Sequence, residues 1–252
     1  VETKISRFVR WLRLVRIAAG FLTILPLARE SDKPEEVALS SVFFPLVGLL
    51  IGGGVYGVFW GTHFIFGTSF LPALLALTTW ILLTRGLHLD GLADVADALG
   101  APVFSKETRE RILKDSSLGV FGTVALFLVL TFKLFLLSET KSGEVIVLAP
   151  LAARFFLLGV ICFGRPLLRE SGLGSIFLSQ PRSTAFWLWL ILVAIVSILF
   201  GNVLLFLKIC FCFVIIYSFV KRVARMLGFL NGDVMGTAVE LGELLFLLVG
   251  RI

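Results

Sequence analysis

The sequence predicts an all-α fold: a polytopic integral membrane helical bundle of about seven transmembrane helices, preceded by an interfacial amphipathic helix. Three observations predict it. Hydrophobic residues make up 58% of the 252 residues and the mean hydropathy is +1.01, far above what a soluble domain with a polar surface carries. Apolar runs long enough to cross roughly 30 Å of hydrocarbon recur along the chain. The basic residues, which leave a net charge of +6, gather in alternate connections between those runs. Backbone groups in lipid must be satisfied within the segment, and runs of this length suit helices rather than barrel strands of about ten alternating residues.

The first element is the N-terminal arm. Arg7, Arg10 and Arg13 recur every three residues while Ile5, Phe8, Leu12 and Val15 fall on another face. Such a helix is expected to lie in the interface with its basic face toward anionic head groups. No secretory leader is expected, because the first residues are charged and Leu22–Pro26 is short. In GFLTILPLA, Gly20 and Pro26 break the next apolar stretch into an interfacial or partly re-entrant turn.

Spans are then expected at Ser41–Phe66, Phe70–Thr84, Leu118–Ser138, Val145–Phe163, Thr184–Phe200, Val203–Val220 and Val234–Gly250. The second is short and runs on toward a stretch rich in aspartate. Cys162, Cys210 and Cys212 lie in apolar runs without CxxC spacing or nearby histidines, which makes them core thiols. No repeat or linker divides the chain, so residues 1–252 read as a single membrane-embedded domain.

Seven spans put the arm, Arg85–Lys114, Arg165–Arg182 and Lys221–Arg225 on one side, with Lys141 and Arg251 on the other. The basic side is the cytoplasmic one. The expected location is therefore the cytoplasmic (inner) membrane, multi-pass, with any site built from these connections facing the cytoplasm. Membrane lipid, not nucleic acid, is the expected macroscopic partner, and association into a homo-oligomer is left open.

Those connections carry the chemistry. In RGLHLDGLADVADALG, Asp90, Asp94 and Asp97 recur at i, i+4 and i+7, separated by about 6 Å and then about 4.5 Å along a helix axis. Three like charges on one stripe repel unless a cation sits among them. Late in the chain Asp233 and Glu240 share a helix face and Glu243 follows inside an apolar run, where an ionised carboxylate needs a polar cavity or a partner. Acids converging from two distant segments with arginines around them suit a hard cation such as Mg²⁺ and a phosphate-bearing substrate. Such a site favours attack of an alcohol on a pyrophosphate. Asp115, ahead of LGVFG, either joins the site or stabilises the next helix's N-terminus. Lys133 and Arg154, deep in apolar runs, either pair with buried acids or reach phosphate. His88 reads as a general base or as a hydrogen-bonding support.

RGLHLDGLADVADALG, RILKDSSLGVFG and NGDVMGTAVELGE together resemble the cobalamin synthase family, the adenosylcobinamide-GDP ribazoletransferases. FLTILPL, FFPLVGLLIG and RPLLRESGLG extend the likeness over nearly the whole chain. The resemblance implies a Mg²⁺-dependent membrane transferase in cobalamin biosynthesis. In that family the ribose 3′-hydroxyl of alpha-ribazole, or of its 5′-phosphate, attacks adenosylcobinamide-GDP and GMP leaves. The family's motifs map onto His88, Asp90, Asp94 and Asp97, onto Lys114, Asp115, Ser116, Gly119 and Gly122, and onto Asp233, Gly236 and Glu240. Two positions depart from the pattern: Asn231 stands where a Thr is usual, and Ala98 where a Gly often follows the last acid.

On this basis Mg²⁺ is expected on Asp90, Asp94 and Asp233, with Asp97 and Glu240 as further ligands or as the base. Arg85, Lys114, Arg154 and Arg165 are expected on phosphate, with Lys133 behind them and Asp115 and Ser116 beside the substrate. A CDP-alcohol phosphotransferase also uses an aspartate-rich membrane helix, but here the arginine of its motif is missing after Asp90-Gly91 and a second acid cluster comes late. An ion-coupled transporter is a third reading, without the inverted pair of broken helices it calls for.

Overall fold

The structure, a computed structural model, describes residues 4–102, 105–115, 117–140, 142–164, 173–179, 182–199 and 202–251. Every extended element among them is a helix. In order they are α1 (Lys4–Leu22), α2 (Pro34–Ser40), a 3₁₀ turn (Ser41–Phe43), α3 (Phe44–Phe66), α4 (Phe70–Thr84), α5 (Leu87–Gly100) and α6 (Lys106–Leu113). Then follow α7 (Val120–Ser138), α8 (Gly143–Phe163), α9 (Leu173–Ser179), α10 (Ser183–Leu199), α11 (Val203–Leu227) and α12 (Gly232–Gly250).

The bundle is organised around α8, which is buried along almost its whole length. α3 and α12 pack on it from different sides. Gly48 and Gly52 lie one turn apart on α3, and a Cβ at either would collide with the α8 backbone at Pro150 and Val147. Small residues one turn apart let two helices approach to backbone contact where lipid supplies no hydrophobic drive to press them together. Phe155, Phe163, Phe186, Phe213 and Tyr217 interlock α8, α10 and α11. Cys162 and Cys212 are buried in this core and Cys210 is half-buried, all three as free thiols.

Helices occur at all seven of the expected span positions, but the count of seven is not reached by length and composition. Among the described residues four helical stretches qualify as they stand: Pro34–Phe66, Val120–Ser138, Gly143–Phe163 and Val203–Leu227. A fifth arises if α4 and α5 count as one span, broken by an 89° bend. α10 has 17 residues, and α12 carries Asp233, Glu240 and Glu243 within 19. On the outer faces, Phe127 of α7, Leu199 of α10 and Val214 of α11 are well exposed, as lipid-facing side chains are.

The arm is docked in part on protein. α1 buries Leu14, Ile17, Ala18 and Leu22 against α2 and α3, while Phe8 and Leu12 stay exposed. The second half of α1 is thus docked on protein, and only its first half presents apolar side chains outward. Part of its basic face is also paired internally, Arg13 with Glu36 at 3.1 Å and Arg16 with Asp32. The chain then folds back so tightly that a Cβ at Gly20 would strike the backbone at Ala28, and Ile24 N–H donates to Leu83 O at the end of α4 (2.7 Å).

The connections expected to share one face do meet at one end of the bundle. Gly228, after α11, lies against Lys106 of α6, and Gly174 of α9 lies against Asn231 and Gly232. Arg251 approaches Glu139 O at the opposite end.

Candidate active site

The site begins with a turn that only a special backbone can make. Arg85 (φ 54°) and Gly86 (φ 63°) are consecutive left-handed residues, a conformation costly for a side chain such as arginine's. They stop α4 and send α5 off at 89°, leaving Arg85 exposed at the corner. The aspartate stretch therefore continues the expected second span only through this break.

α5 is laid directly on the first turns of α12. A Cβ at Gly91 would stand 2.8 Å from both Cα and O of Asp233, and one at Gly236 would stand 3.3 Å from the Cα and O of His88. Thr237, buried at the crossing, donates from Oγ1 to Gly91 O (3.0 Å) and to Asp233 O (2.8 Å). Asn231 caps α12, its Oδ1 accepting from Val234 N–H (3.1 Å) and its Nδ2 donating to Asp233 Oδ2 (2.6 Å). A capping Asn satisfies an amide that would otherwise be orphaned at the helix start. Here it also fixes the rotamer of a site carboxylate.

This crossing brings together acids more than a hundred residues apart in sequence. Asp90 is exposed, while Asp94 and Asp233 are half-buried. Asp94 feels the like charges of Asp90, Asp233 and Asp97, and Asp233 feels that of Asp90. Among the described residues none of Asp90, Asp94 and Asp233 has a cationic side chain paired with it. Three mutually repelling oxygen donors without a counter-charge suit a hard divalent cation. As placed, no group of three or more His, Cys, Asp or Glu side chains among the described residues is gathered tightly enough to hold an ion unaided.

Asp97 is engaged elsewhere. Its Oδ2 accepts from Gly119 N–H (2.8 Å) and its Oδ1 from Gly122 N–H (2.9 Å), so it caps the N-terminus of α7 from a neighbouring helix. That explains both glycines, since a Cβ at either would overlap the Asp97 carboxylate. The helix-capping role weighed for Asp115 thus belongs to Asp97. Asp115 is exposed and accepts from the hydroxyl (2.7 Å) and the amide (3.0 Å) of Ser117, bonds that hold its carboxyl below the usual range. Lys114 is exposed and paired with Glu110 at 2.9 Å. Ser116 and Arg165 lie outside the described residues.

Deeper in the bundle, Lys133 and Arg154 are buried and occupied by acids rather than open to a ligand. Lys133 Nζ donates to Glu240 Oε2 (2.6 Å) and to Glu243, Arg154 donates to Glu243, and Trp80 Nε1 donates to Glu243 Oε1 (3.2 Å). The Lys133 ammonium also sits 5.0 Å from the Trp80 ring centroid, within cation–π range. Two cations and two anions balance, and the set ties α4, α7, α8 and α12 together. Glu240, expected beside the metal, is a member of this internal ion cluster. His88 is buried between the cluster and the aspartates, and its Nδ1 has no partner among the described residues.

Sequence reasoning missed Asn231 and Thr237 as site-building residues and Trp80 as a partner of Glu243. Asn231 was open to discovery as an N-cap three residues before the first apolar position. Nothing in the local sequence signals Thr237 or Trp80, whose partners are distant in the chain.

Fold and site together define a multi-pass helical membrane protein with an acidic site at one end of its bundle. The chain belongs to the Cobalamin-5-phosphate synthase family, whose model matches residues 14–250. It is 38% identical to the adenosylcobinamide-GDP ribazoletransferase of Pseudomonas putida strain F1, over 90% of this chain and 94% of that one. Identity to the enzyme of the same name from Herpetosiphon aurantiacus is 36%, over 92% of this chain and 93% of the relative. For that of Desulfitobacterium hafniense strain Y51 it is 36%, over 94% and 96%. No solved structure matches the chain.

Proposed function

We propose that the chain is an adenosylcobinamide-GDP ribazoletransferase. It joins adenosylcobinamide-GDP to alpha-ribazole, or to its 5′-phosphate, and releases GMP, completing the nucleotide loop of cobalamin. Family membership and near full-length relatives of that name support the reaction. The observation that carries the site is the α5–α12 crossing, which sets Asp233 beside Asp90 and Asp94.

Asp90, Asp94 and Asp233 would hold Mg²⁺, with waters and substrate phosphate completing the shell as that ion prefers. When bound, the ion supplies charge stabilisation to the pyrophosphate. The protein's own contribution is positional. Asn231 and Thr237 fix Asp233, and the left-handed corner holds Arg85 at the head of α5. There its exposed guanidinium is available to phosphate oxygens, and Lys114 after α6 would reach them by leaving its exposed partner Glu110. The 3′-hydroxyl oxygen bonds to the corrinoid-side phosphorus, the bond from that phosphorus to the GMP oxygen breaks, and the hydroxyl proton leaves to a carboxylate of the cluster. The charge bias supports a cytoplasmic-membrane location with this end facing the cytoplasm.

The test is single-turnover GMP release from adenosylcobinamide-GDP across a Mg²⁺ titration. Asp90→Asn, Asp94→Asn and Asp233→Asn are each expected to slow release on the order of 10² or more, with effects that do not add in combination. Normal rates and an unshifted Mg²⁺ dependence in Asp90→Asn and Asp233→Asn would sink the shared-metal site. Release that does not require alpha-ribazole would sink the reaction itself.

A further inference from the structure

At the end of the bundle opposite the aspartates, α8 and α11 begin and α12 ends. Between them lies a cavity of about 200 Å³, walled in part by Leu205 and Phe246 and carrying two opposite charges, Glu144 of α8 and Lys208 of α11. The two are not paired with each other, and among the described residues neither side chain has an ion pair or hydrogen bond with any other group. Lys208 is the first charged residue of α11, and the next is Lys221 at the start of the basic run. The two lie about 20 Å apart along the helix axis, against about 30 Å of hydrocarbon, so Lys208 stands about 10 Å inside the boundary at its own end. It shares an outward stripe with Leu204, Phe211 and Ile215, all exposed. A cation among lipid-facing side chains calls for an anionic partner, and the described protein groups supply none.

We infer that this cavity takes the head group of one phosphatidylethanolamine, its phosphate on Lys208 and its ammonium on Glu144, with an acyl chain along Phe211 and Ile215. Depth sets the orientation. Ser142 and Asn202 are the N-caps of α8 and α11 and both line the cavity, so the two helices begin near one level. Glu144 follows its cap closely, whereas Lys208 comes a full turn later along its own helix, about 6 Å deeper. A phospholipid carries its charges in the same order, the phosphate next to the glycerol and the ammonium beyond it. Because Lys208 opens among lipid-facing side chains, the phosphate that meets it comes from the bilayer rather than from water. The carboxylate selects among lipids. A primary ammonium donates charge-assisted hydrogen bonds to it, a trimethylammonium has no N–H to give, and a phosphatidylglycerol brings no cation at all. The inference rests on the fold alone and is independent of the reaction proposed above.

The experiment is native mass spectrometry of the purified full chain released from mild detergent. Phosphatidylethanolamine, phosphatidylcholine and phosphatidylglycerol with identical acyl chains are offered in equal amounts. Phosphatidylethanolamine is expected to be retained over the other two by on the order of tenfold or more, the worth of one hydrogen bond to a charged group. Glu144→Gln should bring phosphatidylethanolamine and phosphatidylcholine close to parity, and Lys208→Met should lower retention of all three. Glu144→Lys with Lys208→Glu keeps both charges but reverses their depth, and is expected to lose the preference. Unchanged far-UV circular dichroism and GMP release in detergent mark the variants as folded. Equal retention of phosphatidylethanolamine and phosphatidylcholine by the parent chain overturns the site, as does a preference that survives the charge reversal. Undiminished phosphatidylethanolamine on Lys208→Met would mean that the lysine only reaches up to the interface, and displacement by millimolar phosphoethanolamine would make this a site for a soluble zwitterion. Either result refutes the assignment.

Discussion

Gly91→Ala tests the geometry of the α5–α12 crossing with the smallest available change. The added Cβ would lie 2.8 Å from Cα and O of Asp233, where ordinary contact begins at 3.4 Å. Both colliding atoms are backbone, so the crossing must open by about 0.6 Å or more to relieve the overlap. Overpacking of this kind costs roughly 1–3 kcal/mol, and the Thr237–Gly91 hydrogen bond is stretched with it. The fold should survive with a lowered melting temperature. The site should suffer more, because displacing a catalytic group by about 1 Å costs on the order of 10² in rate. Gly53→Ala and Gly57→Ala are the controls: a Cβ at either meets nothing within 4 Å, so each should be neutral or gain up to about 1 kcal/mol from helix propensity. Thermal unfolding in detergent and single-turnover GMP release measure the two effects separately. If Gly91→Ala matches Gly53→Ala in both, α5 and α12 do not cross as described and Asp233 is not held beside Asp90 and Asp94.

Two further outcomes are expected. Asp97→Ala should lower stability by about 1–2 kcal/mol through loss of the α7 cap, Asp97→Asn by less, and the Mg²⁺ dependence of GMP release should stay in place for both; a shifted dependence would move Asp97 into the metal shell. Lys133→Met alone should destabilise by about 3–5 kcal/mol because it strands buried carboxylates, and adding Glu240→Gln should recover more than half of that in thermal unfolding. A double variant as unstable as the sum of its parts would mean that the two residues do not share one charge balance.

The fold class was legible because hydropathy and charge placement act over the whole chain and leave few alternatives. The acids of the site were legible too, since an Asp at i, i+4 and i+7 in an apolar protein is conspicuous. Their division of labour was not. Asp90, Asp94 and Asp97 look equivalent along one stripe, yet Asp97 faces two amide groups that only the packing of α5 on α7 supplies. Glu240 read as a metal ligand or base, and Lys133 as either paired with a buried acid or reaching phosphate; that the two meet each other, 107 residues apart, is a tertiary fact. The 89° bend was hidden for a different reason: Arg85 adopts a left-handed conformation that its side chain disfavours, and only Gly86 hinted at a break. In α1 the regular arginine spacing drew attention to a lipid-facing role, while the stripe that anchors the helix, Leu14, Ile17, Ala18 and Leu22, is an ordinary apolar pattern one turn further on.

The ion cluster in the bundle core has a bearing on how the protein is made. Lys133 enters the bilayer on α7 and Arg154 on α8, but their acids arrive on α12, Glu240 being 107 residues after Lys133 and Glu243 89 residues after Arg154. A lone cation on a membrane helix is costly and stays near the interface or shielded by other groups. The earlier helices therefore cannot settle into their final depth until α12 is synthesised and supplies the opposing charges. Assembly of the bundle is held open until α12 arrives, the same helix that brings Asp233 to the aspartates of α5. A chain whose synthesis stopped before α12 would lack Asp233 at the acidic site and would leave Lys133 and Arg154 without the carboxylates that neutralise them.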